Sequence, residues 1–391
     1  MDESELVTLL SLEGLRLLDE LPPYDSAADV VHTVSALRAA GHSPALVAAV
    51  LNQSKLRRRA APKFGEFAGR MLFTPTGLEQ ATRLAVAAVH AERFRSAGLR
   101  RIADLGCGIG GDALAMAALD LSVTAVERDE VTAAVAAYNL APWTNATVVH
   151  GDAAGFDVTG FDGVYLDPAR RDGTRRLSNP ADWSPSLDTA FGFAATLPTG
   201  VKLAPGMDRS LIPDDAEAQW VSVDREVVEV SVWFGVLARP SVRRSALLLG
   251  GQGAAELSAA GDSEDAEVGV LGQYLYEPDG AVIRARLIGE VARHIGASML
   301  SDRIAYLTSD TAADTPFATR FRVVEALPWD ERQLAKALSA RGIGTLEIKK
   351  RGVDVDPARL RTKLSLKGAE RATLILTRVA GRHTALLVER E

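Results

Sequence analysis

Cys107 is the only cysteine in this chain of 391 residues. A single thiol excludes internal disulfides, a four-cysteine zinc site and a cysteine-held iron–sulfur cluster. Without such a cluster, radical cofactor chemistry is excluded as well. The six histidines show no spacing typical of metal ligands. We therefore predict no metal site, and so few cysteines are typical of a cytoplasmic protein.

Long apolar runs are also missing from the chain. No run approaches the roughly 20 apolar residues that a membrane-spanning helix needs, so we predict no membrane association. The first five residues read MDESE, which is acidic where a signal peptide would be basic. The sequence therefore predicts a cytoplasmic protein without an export signal.

The net charge of −7 is unevenly distributed along the chain. Residues 316–391 contain 16 basic and 9 acidic side chains, a net charge of +7, whereas the remaining residues contain 28 and 42, a net charge of −14. A basic module on an acidic body is typical of a nucleic-acid-binding appendage. The alternative interpretation is a solvated basic face with no ligand.

Apolar spacing predicts α-helices in the first hundred residues and an α/β sheet after them. Residues 6–51 have helical periodicity, and Ser43-Pro44 is typical of a helix start. One further helix is predicted over 76–97. Beyond it, apolar runs alternate with helical segments, which indicates a parallel sheet with right-handed crossovers. These runs are 102–105, 123–126, 147–149, 164–166 and 201–203, and the runs 220–223 and 227–234 are expected to add an antiparallel pair.

The last third of the chain gives weaker patterns. Residues 250–267 are rich in Gly, Ser, Ala and acidic residues and predict a loop, whereas 281–294 predict a helix. From residue 316 onward, a helical run at 331–340 lies among four strand-like runs, which predicts a small α+β module. The strand-like runs are 321–324, 345–348, 372–376 and 384–387.

A glycine-rich loop follows the first predicted strand. It reads Asp104-Leu-Gly106-Cys-Gly108-Ile-Gly110 and opens a helical pattern. Glycines there let the backbone approach a nucleotide and turn tightly into a helix, a need that dinucleotides and adenosyl cofactors share. Asp104 favours the adenosyl cofactor, because its carboxylate can accept from the ammonium of a methionine moiety but would repel a pyrophosphate. Glu127 ends the next strand, where it can bind both ribose hydroxyls.

Two further carboxylates follow later strands. Asp152 comes after the third strand, where it suits the adenine amino group; a solvent-facing turn aspartate is the equal alternative. Asp167-Pro168 ends the fourth strand. Together with the glycine loop, this pair indicates S-adenosylmethionine as the cofactor and methyl transfer as the reaction.

On these motifs, residues 73–234 resemble the class I S-adenosylmethionine-dependent methyltransferases. The resemblance implies a Rossmann-like seven-stranded methyltransferase sheet. It also implies a role for each motif residue: the methionine end is held by Asp104, Gly106, Gly108 and Gly110, the ribose by Glu127, the adenine edge by Asp152, and the acceptor side is formed by Asp167 and Pro168.

A closer resemblance is to bacterial proteins that join this fold to a C-terminal THUMP-like domain. It is carried by stretches along most of the chain: Phe73–Thr82, Asp167–Arg171, Tyr276–Asp279, Lys349–Gly352 and Leu366–Gly368. It implies a helical segment at 1–70, the catalytic domain at 71–240, a connecting α/β region at 241–315 and the THUMP-like domain at 316–391. THUMP domains bind RNA, so RNA is the implied partner and Lys349, Lys350 and Arg351 are the implied contacts.

The acceptor is predicted from the residues around Asp167. Enzymes that methylate base amines usually follow the acidic or amide residue with two prolines and an aromatic residue, whereas this chain reads Asp167-Pro168-Ala169-Arg170. Asp167 can still accept a hydrogen bond from an exocyclic amine, which favours a nitrogen acceptor, and Arg170 and Arg171 can contact phosphates. Methylation at carbon 5 of pyrimidines commonly needs a cysteine near the substrate, and the only cysteine lies in the cofactor loop.

Three functions remain open on the sequence alone. An RNA base methyltransferase is the leading hypothesis. A small-molecule or protein methyltransferase is the second, and an RNA-binding protein that keeps the cofactor without turnover is the third.

Overall fold

A computed structural model describes residues 1–21, 27–169, 171–172, 175–177, 179–251 and 253–391. The chain divides into two compact units: the first comprises 1–203 and 233–238, and the second comprises 204–232 and 239–391. No helix among the described residues is long and apolar enough to cross a membrane.

The first unit begins with helices, as the periodicity predicts. Ser43 caps the longest of them, with its Oγ accepting from the Leu46 N–H at 3.2 Å and with Pro44 in the first turn. The helices before the sheet are α1 (Glu3–Leu9), α2 (Leu12–Glu20), α3 (Ala27–Ala39), α4 (Pro44–Phe64), α5 (Pro75–Gln80) and α6 (Leu84–Ser96).

The single helix predicted over 76–97 is wrong, because two helices occupy this stretch and α5 ends at Gln80. Lys63 Nζ, at the end of α4, donates to the carbonyl oxygens of Leu78, Glu79 and Ala81 at 2.8–2.9 Å. These carbonyls are therefore satisfied by a lysine from another helix and not by the next helical turn.

Five parallel strands form the sheet of the first unit, in the order β7-β4-β1-β2-β3. This is the order that right-handed crossovers produce in an α/β sheet, and it places the carboxyl ends of β1, β2 and β4 side by side. The elements are β1 (Arg101–Leu105), α7 (Gly111–Ala118), β2 (Ser122–Glu127), α8 (Glu130–Leu140), β3 (Ala146–His150), β4 (Gly163–Leu166), β5 (Arg171–Asp172), β6 (Arg175–Arg176), α9 (Leu187–Gly192) and β7 (Thr199–Leu203).

The strand pair predicted from the runs 220–223 and 227–234 consists of β8 (Glu217–Val223) and β9 (Glu226–Trp233). Asp224 and Arg225 connect them, both with positive φ, as in a two-residue hairpin turn. Two more strands of the second unit, β10 (Arg244–Gly250) and β11 (Gly253–Ala259), extend this pair in the order β11-β10-β8-β9. The loop predicted over 250–267 is therefore wrong for 253–259. Pairing with β10 at an edge outweighs the low strand propensity of Gly and Ala there.

A seven-stranded sheet contains the rest of the second unit, in the order β13-β14-β12-β15-β18-β17-β16. It joins strands from 274–309 with strands from 318–390. The helix predicted over 281–294 is two helices, broken near Arg286, whose φ is +59°. The elements are β12 (Tyr274–Pro278), α10 (Gly280–Arg284), α11 (Ile288–Ile295), β13 (Ser298–Ser301), β14 (Ile304–Ser309), β15 (Ala318–Leu327), α12 (Glu331–Ala340), β16 (Ile343–Lys350), α13 (Pro357–Leu364), β17 (Glu370–Val379) and β18 (Arg382–Arg390).

Candidate active site

The glycine loop lies between β1 and α7, at the carboxyl end of the parallel sheet. Gly106, Gly108 and Gly110 have φ of +87°, +56° and +84°, a region that side chains with a Cβ rarely adopt. At Gly106 the loop also passes close to β4, since a Cβ there would lie 3.3 Å from the carbonyl oxygen of Asp167. The fold therefore brings the glycine loop and Asp167 together, as the motifs predict.

Asp104 is a buried carboxylate without a partner. Its exposed fraction is 1%, and neither of its oxygens has a hydrogen bond among the described residues. Burial, with the nearby carboxylates of Asp112 and Asp167, raises the pKa of Asp104 well above its usual value. Such a group costs folding free energy unless a donor or cation reaches it. The ammonium of a methionine moiety is a donor of this kind, so Asp104 fits the cofactor predicted for it.

Glu127 fixes the other side of the loop. Its Oε2 accepts from the Gly108 N–H at 3.0 Å, and its Oε1 accepts from the Asp129 N–H at 2.8 Å. Both oxygens keep a second lone pair, so the carboxylate is oriented and can still accept from two ribose hydroxyls.

Asp152 adopts the turn conformation that was its alternative interpretation. Its Oδ1 accepts from the Ala154 N–H at 2.9 Å and caps a short 3-10 helix, and the side chain is exposed. Contact with an adenine stays a prediction for this residue.

A chain of polar side chains begins at Asp167. Its Oδ2 lies 2.5 Å from Lys202 Nζ, which donates to Thr82 Oγ1 at 2.9 Å. Thr82 in turn donates to Asp112 Oδ2 at 2.6 Å, and His90 Nδ1 lies 2.7 Å from Asp112 Oδ1. Since a carboxylate only accepts, His90 Nδ1 carries the proton of this bond. The Asp167 carboxylate is thus held by a network that extends into the core.

The interior end of this network keeps a negative charge. Burial by itself would raise the pKa of Asp112, but the hydrogen bond and charge of His90, with Lys202 and Thr82, hold that pKa below its usual value. Burial, with the charges of Asp104 and Glu127, raises the pKa of the Cys107 thiol well above its usual range. The thiol therefore stays protonated, which agrees with the expectation that Cys107 is not a nucleophile.

Sequence reasoning missed Lys202, Thr82, Asp112 and His90. The signal for Lys202 was present, because it is the one charged residue in the strand sequence Thr-Gly-Val-Lys-Leu of β7. A lysine in a buried strand usually has a partner. The partner itself, Asp167, follows from the pairing of β4 with β7 and not from sequence spacing.

The segment before β1 packs on the glycine loop. Thr74 caps α5 by accepting from the Gly77 N–H at 2.9 Å, so the helix begins at Pro75, one residue before the predicted start at residue 76. A Cβ at Gly77 would lie 2.4 Å from Ile109 Cγ2. Phe73 is fully buried. Thr74 and Phe73 therefore have structural roles, the first as a helix cap and the second in core packing.

The other residues that the sequence predicts as substrate contacts differ in burial and in their partners. Pro168 is buried, Arg170 lies outside the described residues, and Arg171 begins the two-residue strand β5. In the second unit, Lys349 Nζ forms an ion pair with Glu277 Oε2 at 2.6 Å, and Lys350 is exposed. The Arg351 guanidinium lies 5.4 Å from the ring centre of Tyr306.

Comparison with family models gives two matches. A family described as THUMP domain-like matches residues 318–390. A family described as a domain of unknown function matches residues 2–60.

Comparison with whole proteins extends over most of the chain. A crystal structure assigned to a methyltransferase of Porphyromonas gingivalis W83 superposes with a TM-score of 0.71 at 21% identity, covering 94% of this chain and 100% of that one, which shows the fold. Proteins of Mycobacterium tuberculosis strains CDC 1551 and H37Rv, described as uncharacterized S-adenosylmethionine-dependent methyltransferases, are each 35% identical over 335 residues, 83% of this chain and 90% of theirs.

The cofactor that the site residues fit is the cofactor in the description of the sequence relatives. The glycine loop, the unpartnered Asp104 and the oriented Glu127 fit S-adenosylmethionine, which is the cofactor in the description of the Mycobacterium tuberculosis relatives. The chain therefore belongs to the S-adenosylmethionine-dependent methyltransferases and carries a THUMP-like domain at its C-terminus.

Proposed function

We propose that this enzyme methylates a nitrogen atom of an RNA base and that Asp167 is the residue that positions the acceptor amine. One observation carries the proposal: the Asp167 carboxylate is ion-paired with Lys202 beside the glycine loop. The pairing favours the ionised form of Asp167, which can only accept hydrogen bonds. An exocyclic amine is a donor that such a carboxylate orients.

The bound cofactor supplies an electrophilic methyl group, and the protein supplies position. Asp167 accepts one N–H of the amine and thereby directs the nitrogen lone pair away from itself. The Pro168 ring fixes its own φ and restricts the backbone of Asp167 before it. The Asp167 carboxylate would also receive the proton that the nitrogen loses after methylation. Proximity and alignment of this kind lower the barrier by several kcal/mol, on the order of 7–11 in well-oriented systems.

The cofactor contacts of this proposal are those of the motif residues. Asp104 and the glycines Gly106, Gly108 and Gly110 bind the methionine end, and Glu127 binds the ribose. Asp152 contributes its second carboxylate oxygen to the adenine edge, since Oδ1 already accepts from a backbone N–H.

RNA is favoured as the acceptor by the charge and the domain match. The basic segment 316–391 has a net charge of +7 on a chain whose remainder has −14, and residues 318–390 match a THUMP domain-like family. Arg170 and Arg171 follow Asp167 and Pro168 after one alanine in the sequence, where they would contact phosphates of the same acceptor.

The test is methyl transfer from labelled S-adenosylmethionine to total RNA from a strain that lacks the gene. We expect label in RNA with the natural enzyme, none with Asp104→Ala, and a loss of at least 100-fold with Asp167→Ala at unchanged cofactor affinity. Nucleoside digestion then identifies the methylated base. Label that enters only protein or small molecules, or cofactor binding without any transfer, would refute the proposal. Full activity of Asp167→Ala would refute the role of that residue alone.

A further inference from the structure

Four arginines line a cavity of about 480 Å³ in the second unit. They are Arg209, Arg284, Arg286 and Arg351. No carboxylate is among the residues that line it, within the part of the chain that the structure describes. The cavity is therefore a concentrated positive charge on a chain whose net charge is −7.

Distant parts of the chain contribute these arginines. Arg209 begins a short 3-10 helix after β7, Arg284 ends α10, and Arg351 directly follows β16. Arg286 has a left-handed backbone, with φ of +59°. Gly206 lies beside the group, since a Cβ there would be in ordinary van der Waals contact with Arg284, 3.6 Å from its Nη1. The sequence offers no spacing pattern that would group these four residues.

Three of the four guanidinium groups have no ion pair among the described residues, and two of these three are also exposed. Arg209 is paired with Asp262, at 2.9 Å between Nη2 and Oδ2, and Arg351 lies over the ring of Tyr306. Arg284 and Arg286 are exposed, and neither has an ion pair among the described residues. Because an arginine side chain stays protonated in proteins, both keep a full charge toward the cavity.

Phosphate oxygens are the ligands that this arrangement fits. Guanidinium groups bind phosphate through paired, parallel hydrogen bonds, and more than one arginine gives room for more than one phosphate. The cavity lies within the range of about 300–1,000 Å³ that is typical of small-ligand sites.

The residues that line the cavity offer few contacts to a nucleic acid base. The ring of Trp220 is 1% exposed, and its Nε1 already donates to the Pro205 carbonyl oxygen at 3.2 Å. No base can stack on this ring or accept from it. Apart from this indole N–H, the polar side chains of the lining are the four arginines, beside the apolar Pro205, Met207 and Ile283. Arginine contacts to phosphate are typical of binding to a nucleic acid backbone.

We propose that this cavity binds the phosphodiester backbone of the RNA substrate, independently of base sequence, through Arg284 and Arg286 and with support from Arg209 and Arg351. This inference rests on the proposed function, because it assumes that the acceptor is RNA.

The experiment measures binding of a fluorescent single-stranded RNA oligonucleotide to the full chain over a range of salt concentrations. For Arg284→Gln/Arg286→Gln we expect about a tenfold loss of affinity at low salt. We also expect the slope of log K against log salt to become smaller by roughly 1.4, since each lost phosphate contact on single strands removes about 0.7. Both side chains are exposed, so the variant should fold, and thermal melting checks this.

Arg332→Gln/Arg371→Gln is the matched control, because it removes the same charge from two exposed arginines of the same unit that do not line the cavity. An equal loss of affinity in both variants, or no loss in either, would overturn the inference. Displacement of the RNA by a mononucleotide as effective as the oligonucleotide would also overturn it, since the ligand would then be a free nucleotide.

Failure of this site and failure of the proposed function give different results. If the double variant binds RNA like the natural enzyme while methyl transfer to RNA is observed, the site is wrong and the function stands. If RNA binding depends on Arg284 and Arg286 but no RNA is methylated, the site stands and the function is wrong. If the natural enzyme binds no RNA, the proposal that this cavity binds RNA is wrong, whichever acceptor the enzyme methylates.

Discussion

At the scale of single residues, two acidic side chains of the first unit lie in opposite environments. Asp167 has an ion pair with Lys202, whereas Asp104 is buried with both oxygens unpartnered. Retaining a buried unpartnered carboxylate lowers the free energy of unfolding by about 1–3 kcal/mol or more. Functional sites commonly carry such a cost, and the cofactor is the group that would offset it.

Asp104→Asn is expected to separate binding from stability. The amide removes the charge, so the affinity for S-adenosylmethionine should fall at least tenfold while the cofactor-free protein becomes equally or more stable. The pKa of Asp104 is raised on folding, so its favourable contribution is full below the unfolded pKa, near 3.9, and is lost as pH rises through the folded pKa. The natural protein should therefore lose stability relative to the variant as pH increases from about 4, by at most about 1.4 kcal/mol per pH unit.

Urea unfolding at several pH values and calorimetric titration of the cofactor measure these two quantities. A variant that is clearly less stable than the natural protein at pH 7 would show that Asp104 has a partner in the cofactor-free protein.

Lys202→Met is expected to affect the reaction more than cofactor binding. Without the ammonium, Asp167 loses its ion pair and Thr82 loses a donor. We expect kcat to fall at least tenfold and the cofactor dissociation constant to change less than threefold. Arg101→Met is the control, because it removes an exposed ion pair with Asp162 in the same unit; such pairs contribute about 0–1 kcal/mol. Equal kcat values for the two variants would argue against a positioning role for Lys202.

At the scale of elements, helix α5 supports the cofactor loop. Gly77 contacts Ile109 of the loop, and Lys63 from α4 satisfies the carbonyls at the end of α5. Asn139 of α8 joins the same region, since its Nδ2 donates to the Ile109 carbonyl oxygen at 2.9 Å. The glycine loop, which we propose binds the cofactor, is therefore held from two helices outside the β1–α7 unit.

Gly77→Ala is expected to weaken cofactor binding. Helix propensity by itself would favour alanine by about 1 kcal/mol, but the added Cβ would lie 2.4 Å from Ile109 Cγ2 and 2.7 Å from Thr74 Oγ1. Overpacking of this kind costs about 1–3 kcal/mol, so the clash outweighs the propensity. We expect a lower melting temperature and a cofactor affinity reduced several-fold.

Gly69→Ala serves as the comparison, because a Cβ there would meet nothing within 4 Å, and it should leave both quantities unchanged. Partial restoration of affinity in Gly77→Ala/Ile109→Ala would confirm the contact with Ile109, since the close contact with Thr74 Oγ1 remains in this variant. A Gly77→Ala variant that is as stable as Gly69→Ala and binds the cofactor normally would contradict it.

Element boundaries show where local patterns stop being informative. The start of α4 at Ser43-Pro44 and the extent of α12 were predictable, because capping and periodicity are local. The end of α5 was not, because Lys63 terminates it from another helix. Strand β11 was missed for the same kind of reason, since its pairing with β10 and not its composition makes it a strand.

At the scale of the whole molecule, the two units have separate hydrophobic cores. One cluster in the first unit includes Phe64, Phe94 and Trp233, and another in the second unit includes Leu338, Leu374 and Leu387. Separate cores are the usual basis of separate unfolding transitions.

Calorimetry is therefore expected to show two unfolding transitions. S-adenosylmethionine should raise the melting temperature of only one of them. At a cofactor concentration 100 times the dissociation constant, the first unit should gain about 2.7 kcal/mol. With the at least tenfold weaker affinity expected for Asp104→Asn, this gain should fall to about 1.4 kcal/mol or less. A single-stranded RNA should instead raise the melting temperature of the transition that the cofactor leaves unchanged. If the cofactor raises both melting temperatures equally, the two units unfold together.

The sequence by itself determined the parallel sheet, the glycine loop, the cofactor and the charge asymmetry, because periodicity, glycine conformation and net charge are properties of short or continuous segments. Only the tertiary structure decided which groups meet. Lys202 pairs with Asp167 because β7 and β4 are neighbours in the sheet, and Arg284 and Arg351 share a cavity although 67 positions separate them in the sequence. Side-chain partners of this kind depend on strand order and packing, which local pattern does not specify.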